Sequence, residues 1–337
     1  VLHLIENRYI RFTQNRHSLE NQMKYAEGIN EFVDRCNKAM PPNFYTLPIE
    51  QQREMYLGLT KEFPYQMPPD VLVTDDTVSY EGRKLPIRVY RPKQTKGRGL
   101  VIYIRGGGFV VGSLETHNTV VAELSEKSGL VTIAPDFRMS PEHPFPAALE
   151  DCYGVLCGVV NDAQRLDIDP NRIVISGDSS GANMAVAVSM MSRDRSGPKL
   201  RGQALISPVL DFTRWCKGGV DAPLLTGGEM EYYTACYVPE PEKVKHPYVS
   251  PLVNGTFHDL PPAYIMAAEM DSLLVDSQEY TRLLREEGTQ VELVVEPGLV
   301  HSAVRARGLS PQVADAWERF IHHAALLACK EDLTNDN

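Results

Sequence analysis

The stretch R-I-V-I-S-G-D-S-S-G, residues 172–181, decides how this chain is read. A β-branched run, Ile173, Val174 and Ile175, stops at Gly177, and a small-residue helical pattern of Ala182, Ala185 and Ala187 begins just past Gly181. That order is strand, sharp turn, helix. Ser179 stands at the centre of G-x-S-x-G, where glycines on both sides let strand and helix close without a Cβ clash and leave the hydroxyl exposed. The pKa of a free alcohol is far too high for attack at neutral pH. A nucleophilic Ser179 therefore requires a base, an acid that orients the base, and donors for an oxyanion elsewhere in the chain.

Outward from this turn, short apolar runs are punctuated by turn residues. Residues 71–80 and 85–90 read as an antiparallel pair joined through Glu81, Gly82 and Arg83, and 100–104 as a fully apolar strand. Runs at 131–134, 173–176, 204–207, 263–267 and 291–295 follow, bringing the strands to eight. Helical segments around 117–128, 147–160, 180–193, 275–286 and 311–327 fall between or after them. Buried strands alternating with helices predict an α/β architecture, a mostly parallel sheet covered on both faces with its chemistry at the carboxyl ends of the strands.

Two segments do not fit that alternation. Residues 1–66 carry helical spacing, as in Met23, Ala26, Ile29, Phe32 and Val33, and a second helical candidate at 49–63. They read as a lid or as a packing arm. Between Asp211 and Pro261 the pattern lapses into an insertion rich in Gly, Pro and aromatics, long enough to expect a function: a cap over the strand ends, or a surface or subunit contact. The resulting plan is a helical cap segment at 1–66, core at 67–210, a cap insertion at 211–260, core again at 261–329, and a disordered tail at 330–337.

His301 lies in P-G-L-V-H just beyond the last apolar strand, and the chain order Ser, Asp, His makes it the expected base. Asp271 follows the strand 263–267 and its extension, and is the expected acid, with Glu269 and Asp276 as competitors. An acid at 276, already on the next helix, has a simpler explanation in the helix dipole. The oxyanion donors are expected from Gly106, Gly107 and Gly108, directly after the apolar strand, two of their amides acting with that of Ser180. Phe109 and Asp178 flank these groups as loop or pocket residues.

A formal charge of -10 and the lack of any long basic run argue against nucleic-acid binding. No apolar run approaches the roughly 20 residues of a spanning helix, so no membrane partner is expected. Six cysteines without C-x-x-C spacing predict free thiols and a cytoplasmic protein. Neither a metal site nor a nucleotide-binding turn is visible, and no cofactor is expected.

Several motifs together resemble the hormone-sensitive lipase family of α/β hydrolases, in its bacterial acetyl esterase branch. They are G-G-G-F-V-V-G-S-L-E-T-H at 106–117, P-E-H-P-F-P-A-A-L-E-D at 141–151, G-D-S-S-G-A at 177–182, A-A-E-M-D-S-L-L-x-D at 267–276 and P-G-L-V-H at 297–301. The resemblance runs from about residue 65 to the C-terminus. It implies the α/β-hydrolase fold, Ser179 as nucleophile, His301 as base, Asp271 as acid, and a cap made from the N-terminal arm and the insertion. It also implies hydrolysis of short-chain acyl esters, so the expected partner is a small-molecule ester; a homodimer stays open. Amide or carbamate hydrolysis on the same residues is the chemical alternative. The chain departs from the family in two places: Arg105 stands where the family carries histidine before the glycines, and Ser180 where alanine is common. Arg105 is expected to pair with a nearby acid, to recognise a substrate carboxylate, or to loosen the oxyanion loop and leave an impaired, ligand-binding relative.

Overall fold

A computed structural model describes residues 24–329. Met23 and the tail 330–337, both part of the sequence expectations, lie outside the described residues. Eight strands form one sheet in the order β1-β2-β4-β3-β5-β6-β7-β8: β1 (Val71–Tyr80), β2 (Arg83–Pro92), β3 (Leu100–Ile104), β4 (Val131–Pro135), β5 (Ile173–Asp178), β6 (Gly202–Ile206), β7 (Ala263–Ala268) and β8 (Val291–Glu296). β2 runs antiparallel to β1 and to β4, and every pairing from β4 through β8 is parallel. The tight β1–β2 turn places Glu81 at φ 48° and Gly82 at φ 75°, the left-handed pair that suits the twist of a two-residue hairpin.

The described helices are α1 (Ile29–Ala39), α2 (Ile49–Glu62), α3 (Leu114–Ser128), α4 (Ala147–Asn161), α5 (Ser180–Asp194), α6 (Gly227–Tyr237), α7 (Pro251–Asn254), α8 (Leu274–Glu286) and α9 (Pro311–Cys329). β3, β4 and β6 are buried at every position, which is why their sequences are largely apolar and lack the alternation of a half-exposed strand, Thr132 and Gln203 being buried polar exceptions. α5 packs on β5 and is buried from Ser180 to Ser192, so alanines and small polar residues fill its length. Burying such faces at roughly 25 cal/mol per Å² is the main favourable term that holds sheet and helices together.

α1, α2 and the 211–260 segment lie outside this layered plan. Arg53 of α2 donates from Nε to the Val110 carbonyl at 3.0 Å and from Nη2 to the Ser140 carbonyl at 3.0 Å, and its guanidinium clamps Glu142. Gln52, beside it, donates to the Tyr232 hydroxyl of α6 at 3.0 Å. The two helical segments thus meet each other and the glycine loop after β3.

Candidate active site

The turn after β5 holds Ser179 at φ 54° and ψ -120°, a backbone state that a side-chain-bearing residue adopts only under constraint. The constraint is steric. A Cβ on Gly177 would lie 2.5 Å from the Ile104 carbonyl oxygen and one on Gly181 only 2.0 Å from it, so β5, α5 and β3 approach this closely only around glycine.

Past β8, Gly298 turns the chain, its N–H donating to Glu269 Oε2 at 2.7 Å. Met270 N–H donates to the Leu299 carbonyl at 2.9 Å, stitching the loop after β8 to the loop after β7. These bonds bring the two loops together. His301 Nε2 lies 3.1 Å from Ser179 Oγ, and its Nδ1 lies 2.7 Å from Asp271 Oδ2. Asp271 Oδ1 accepts the Leu273 N–H at 2.9 Å. Burial of His301 works against its charged form, but Asp271 first, then Glu229 and Asp178, outweigh it and raise its pKa above the ordinary histidine value. The competitors of Asp271 have other tasks: Glu269 braces the histidine loop, and Asp276 accepts the Leu210 and Asp211 N–H groups and pairs with Arg214.

The structure narrows the expected glycine donors from three to two and departs from expectation at Arg105. Gly106 donates its N–H to Asp178 Oδ1 at 3.0 Å and does not line the cavity, so that amide is already engaged. Gly107 and Gly108 border the cavity with Ser179 and Ser180. Arg105 meets neither of the specific expectations, because it lies behind the loop rather than in the pocket. Its Nη1 donates to the Val111 carbonyl at 3.1 Å and its guanidinium lies 4.3 Å from the centre of the Phe137 ring, with no acidic side chain in ion-pair contact among the described residues. Burial pushes its pKa down. The Ser180 hydroxyl has no hydrogen-bond partner among the described residues, so the alanine-to-serine departure adds no contact.

Asp178 ties loop and turn together. It also accepts from the Tyr103 hydroxyl at 2.9 Å and faces His117 Nε2 at 3.4 Å. Burial raises its pKa, yet His117, Tyr103 and the Gly106 amide together hold it down at about 2. Phe109, at φ 65°, stacks on Tyr237 with 3.5 Å between ring centres.

A cavity of about 200 Å³ opens over Ser179. α1 and α2 contribute Phe32, Cys36, Tyr56 and Leu59, and the 211–260 segment contributes Leu225, Met230 and Tyr233. Two charged residues that the sequence reading passed over also line it, Glu229 and Arg305. Glu229 sits in the first turn of α6, three residues after the N-cap Thr226, and burial pushes its carboxyl up to about 7. The T-x-x-E spacing was a readable helix-start signal, but nothing in it announces a pocket. Among the described residues, no group of three or more His, Cys, Asp or Glu side chains is arranged to hold a metal ion.

Comparison with known proteins bears on the family and the fold. Residues 101–305 match the family described as the alpha/beta hydrolase fold. The chain is 33% identical over 268 residues to carboxylesterase NlhH of Mycobacterium tuberculosis, covering 76% of this chain and 83% of that protein. It is 31% identical over 250 residues to ethyl acetate hydrolase of Pseudomonas putida, covering 70% and 77% of the two. The hyperthermophilic esterase of Pyrobaculum calidifontis superposes with a TM-score of 0.82 at 29% identity, over 91% of this chain and 99% of that one. The sheet order, the strained serine turn and these matches make the chain a member of the α/β-hydrolase family, in its hormone-sensitive-lipase-like branch.

Proposed function

We propose that the chain is a serine carboxylesterase acting on short acyl esters. The observation that carries this reading is the placement of one imidazole between two partners, Ser179 Oγ at 3.1 Å and Asp271 Oδ2 at 2.7 Å. As Ser179 Oγ attacks the ester carbonyl, its proton passes to His301 Nε2. Asp271 keeps the other ring nitrogen protonated and favours the imidazolium that forms. The carbonyl oxygen, now anionic, lies against the amides of Gly107, Gly108 and Ser180, an arrangement in which losing one donor typically costs about 3 kcal/mol. Collapse of the tetrahedral intermediate breaks the C–O bond, and His301 hands its proton to the departing alkoxide. Water, deprotonated by the same imidazole, then attacks the acyl-enzyme, and Ser179 is released with the acid.

The cavity's modest volume and its closure by bulky side chains on α1, α2 and α6 support short acyl chains. We treat these helices and the 211–260 segment as the cap. The relatives, a carboxylesterase and an ethyl acetate hydrolase, favour esters over amides as substrates. Hydrolysis of p-nitrophenyl esters of increasing acyl length, with Ser179→Ala as control, tests the reading. Turnover should be highest with the shortest chains and vanish in the variant. Preference for long chains would remove the short-acyl assignment, and undiminished turnover by Ser179→Ala would remove the serine mechanism.

A further inference from the structure

Arg305 follows His301 by four residues, in the short helical turn Ala303–Ala306, and its side chain borders the cavity over Ser179. It also borders a smaller cavity of about 30 Å³ on whose wall Ser179 and His301 appear again. The guanidinium is fixed in place: Nη1 donates to the Thr116 carbonyl at 3.2 Å and Cζ lies 4.9 Å from the centre of the Tyr56 ring. Nη2 has no hydrogen-bond partner among the described residues, and no carboxylate there stands in ion-pair contact with Arg305. The buried Arg307 nearby is neutralised by Glu123 at 2.7 Å, and the partly exposed Arg53 and Arg214, which also belong to the helices and segment around the pocket, pair with Glu142 and Asp276. Arg105 shares the lack of a partner but stacks on Phe137, away from the cavity.

A half-buried cation with no carboxylate in contact is costly, and a guanidinium held in place with a vacant donor suits a carboxylate or a phosphate; the carboxylate is the smaller of the two, in a cavity of about 200 Å³. We propose that the pocket takes esters bearing a second, anionic group, a carboxylate a few bonds from the scissile carbonyl on the acyl part, and that Arg305 is its specificity-determining counter-charge. The assignment rests on the ester-hydrolase reading above and narrows its substrate class. Burial works against the Arg305 charge, but Tyr56 and then Asp178 outweigh it and raise its pKa. Of the cavity's carboxyls, Asp178 is spent on the glycine loop, while Glu229 acts on His301 and, pushed up to about 7, carries only part of a charge near neutrality.

The test compares monoethyl succinate with ethyl levulinate, a neutral ester of nearly the same shape, by ethanol release at pH 7.5. In the unaltered protein kcat/KM for the anionic ester should exceed that for the neutral one by about tenfold, the worth of ~1.4 kcal/mol. Arg305→Gln should bring that ratio to or below one, and Arg305→Lys should keep part of it. Because the readout is a ratio within each variant, a general loss of activity from a disturbed Tyr56 or Thr116 contact does not move it. A ratio of one or less in the unaltered protein, or an unchanged ratio in Arg305→Gln, overturns the proposal. If Arg305→Gln does not fold, inhibition of levulinate hydrolysis by butyrate against butyramide decides: tighter butyrate supports the anion site, equal potency removes it. If neither ester is hydrolysed, the ester-hydrolase reading itself fails, and calorimetric binding of monoethyl succinate against ethyl levulinate still decides the anion site.

Discussion

Asp271 gives each carboxylate oxygen a different donor, the Leu273 amide and the His301 ring, and this fixes both the orientation and the tautomer of the imidazole. Asp271→Asn would present an amide N–H to the ring and favour the wrong tautomer. We expect kcat for p-nitrophenyl acetate to fall by about 10⁴ with KM little changed, read by steady-state kinetics. Glu229 acts on the same ring through space. Below its pKa the His301 imidazole is protonated and cannot accept the Ser179 proton, so activity is lost as pH falls. A negative Glu229 favours the protonated ring and helps raise that pKa. Glu229→Gln should therefore move the acid limb of kcat/KM to lower pH, and a pH-rate profile of the two proteins gives the displacement. Arg105, behind the loop, makes a simpler prediction. Because its guanidinium braces Val111 and stacks on Phe137, Arg105→His should change kcat by less than about tenfold, whereas the loss of an oxyanion donor costs a hundredfold or more. A rise of that larger size on gaining histidine would mean that arginine holds the oxyanion donors out of place.

At the scale of elements, α1 is the clearest case of a helix whose apolar face serves packing and pocket at once. Ile29, Phe32 and Cys36 are buried along it, and Phe32 both meets Phe63 and lines the cavity. Phe32→Ala should cost about 3–5 kcal/mol of stability. It should also shift the preferred acyl chain to greater length, so thermal unfolding and a chain-length series would be measured together. The spacing of Ile29, Phe32 and Val33 made this helix legible in the sequence, because an apolar face repeats with the helical period. The start of α3 was less so. Sequence spacing placed it near residue 117, whereas the helix begins at Leu114 behind a capping box in which Thr116 takes the place usually held by glutamate. The end of β6 also departs from the expected 204–207, since Ser207 turns off the strand at φ 41°.

Across the whole molecule, what the sequence disclosed was whatever has a local signature. β3, β4, β5 and β6 announce themselves as apolar runs, and Ser179, Asp271 and His301 by the loops they occupy and their order along the chain. The cavity has no such signature. Its walls combine residues as distant as Phe32, Tyr56, Met230 and Arg305, each of which looks like an ordinary core or surface residue until the fold is closed. Which two of the three glycine amides stay free was hidden for a similar reason, since the partner that engages Gly106, Asp178, lies 72 positions away. The cysteines give a prediction at this scale. All six are free, with Cys36, Cys152 and Cys157 buried. Adding a reducing agent should leave the melting temperature unchanged, whereas a disulfide would have contributed about 2–4 kcal/mol to lose.

One contact joins the N-terminal arm to the loop that carries His301. Ala26 N–H donates to the Gly298 carbonyl at 3.1 Å, three residues ahead of His301 in the chain, and a Cβ on Gly298 would lie 2.5 Å from Ala26 N. The arm whose helices line the pocket is thereby sewn to the strap that carries the imidazole. A side chain at position 298 would have to part these two segments, so the seam between them is written into the sequence as a single glycine.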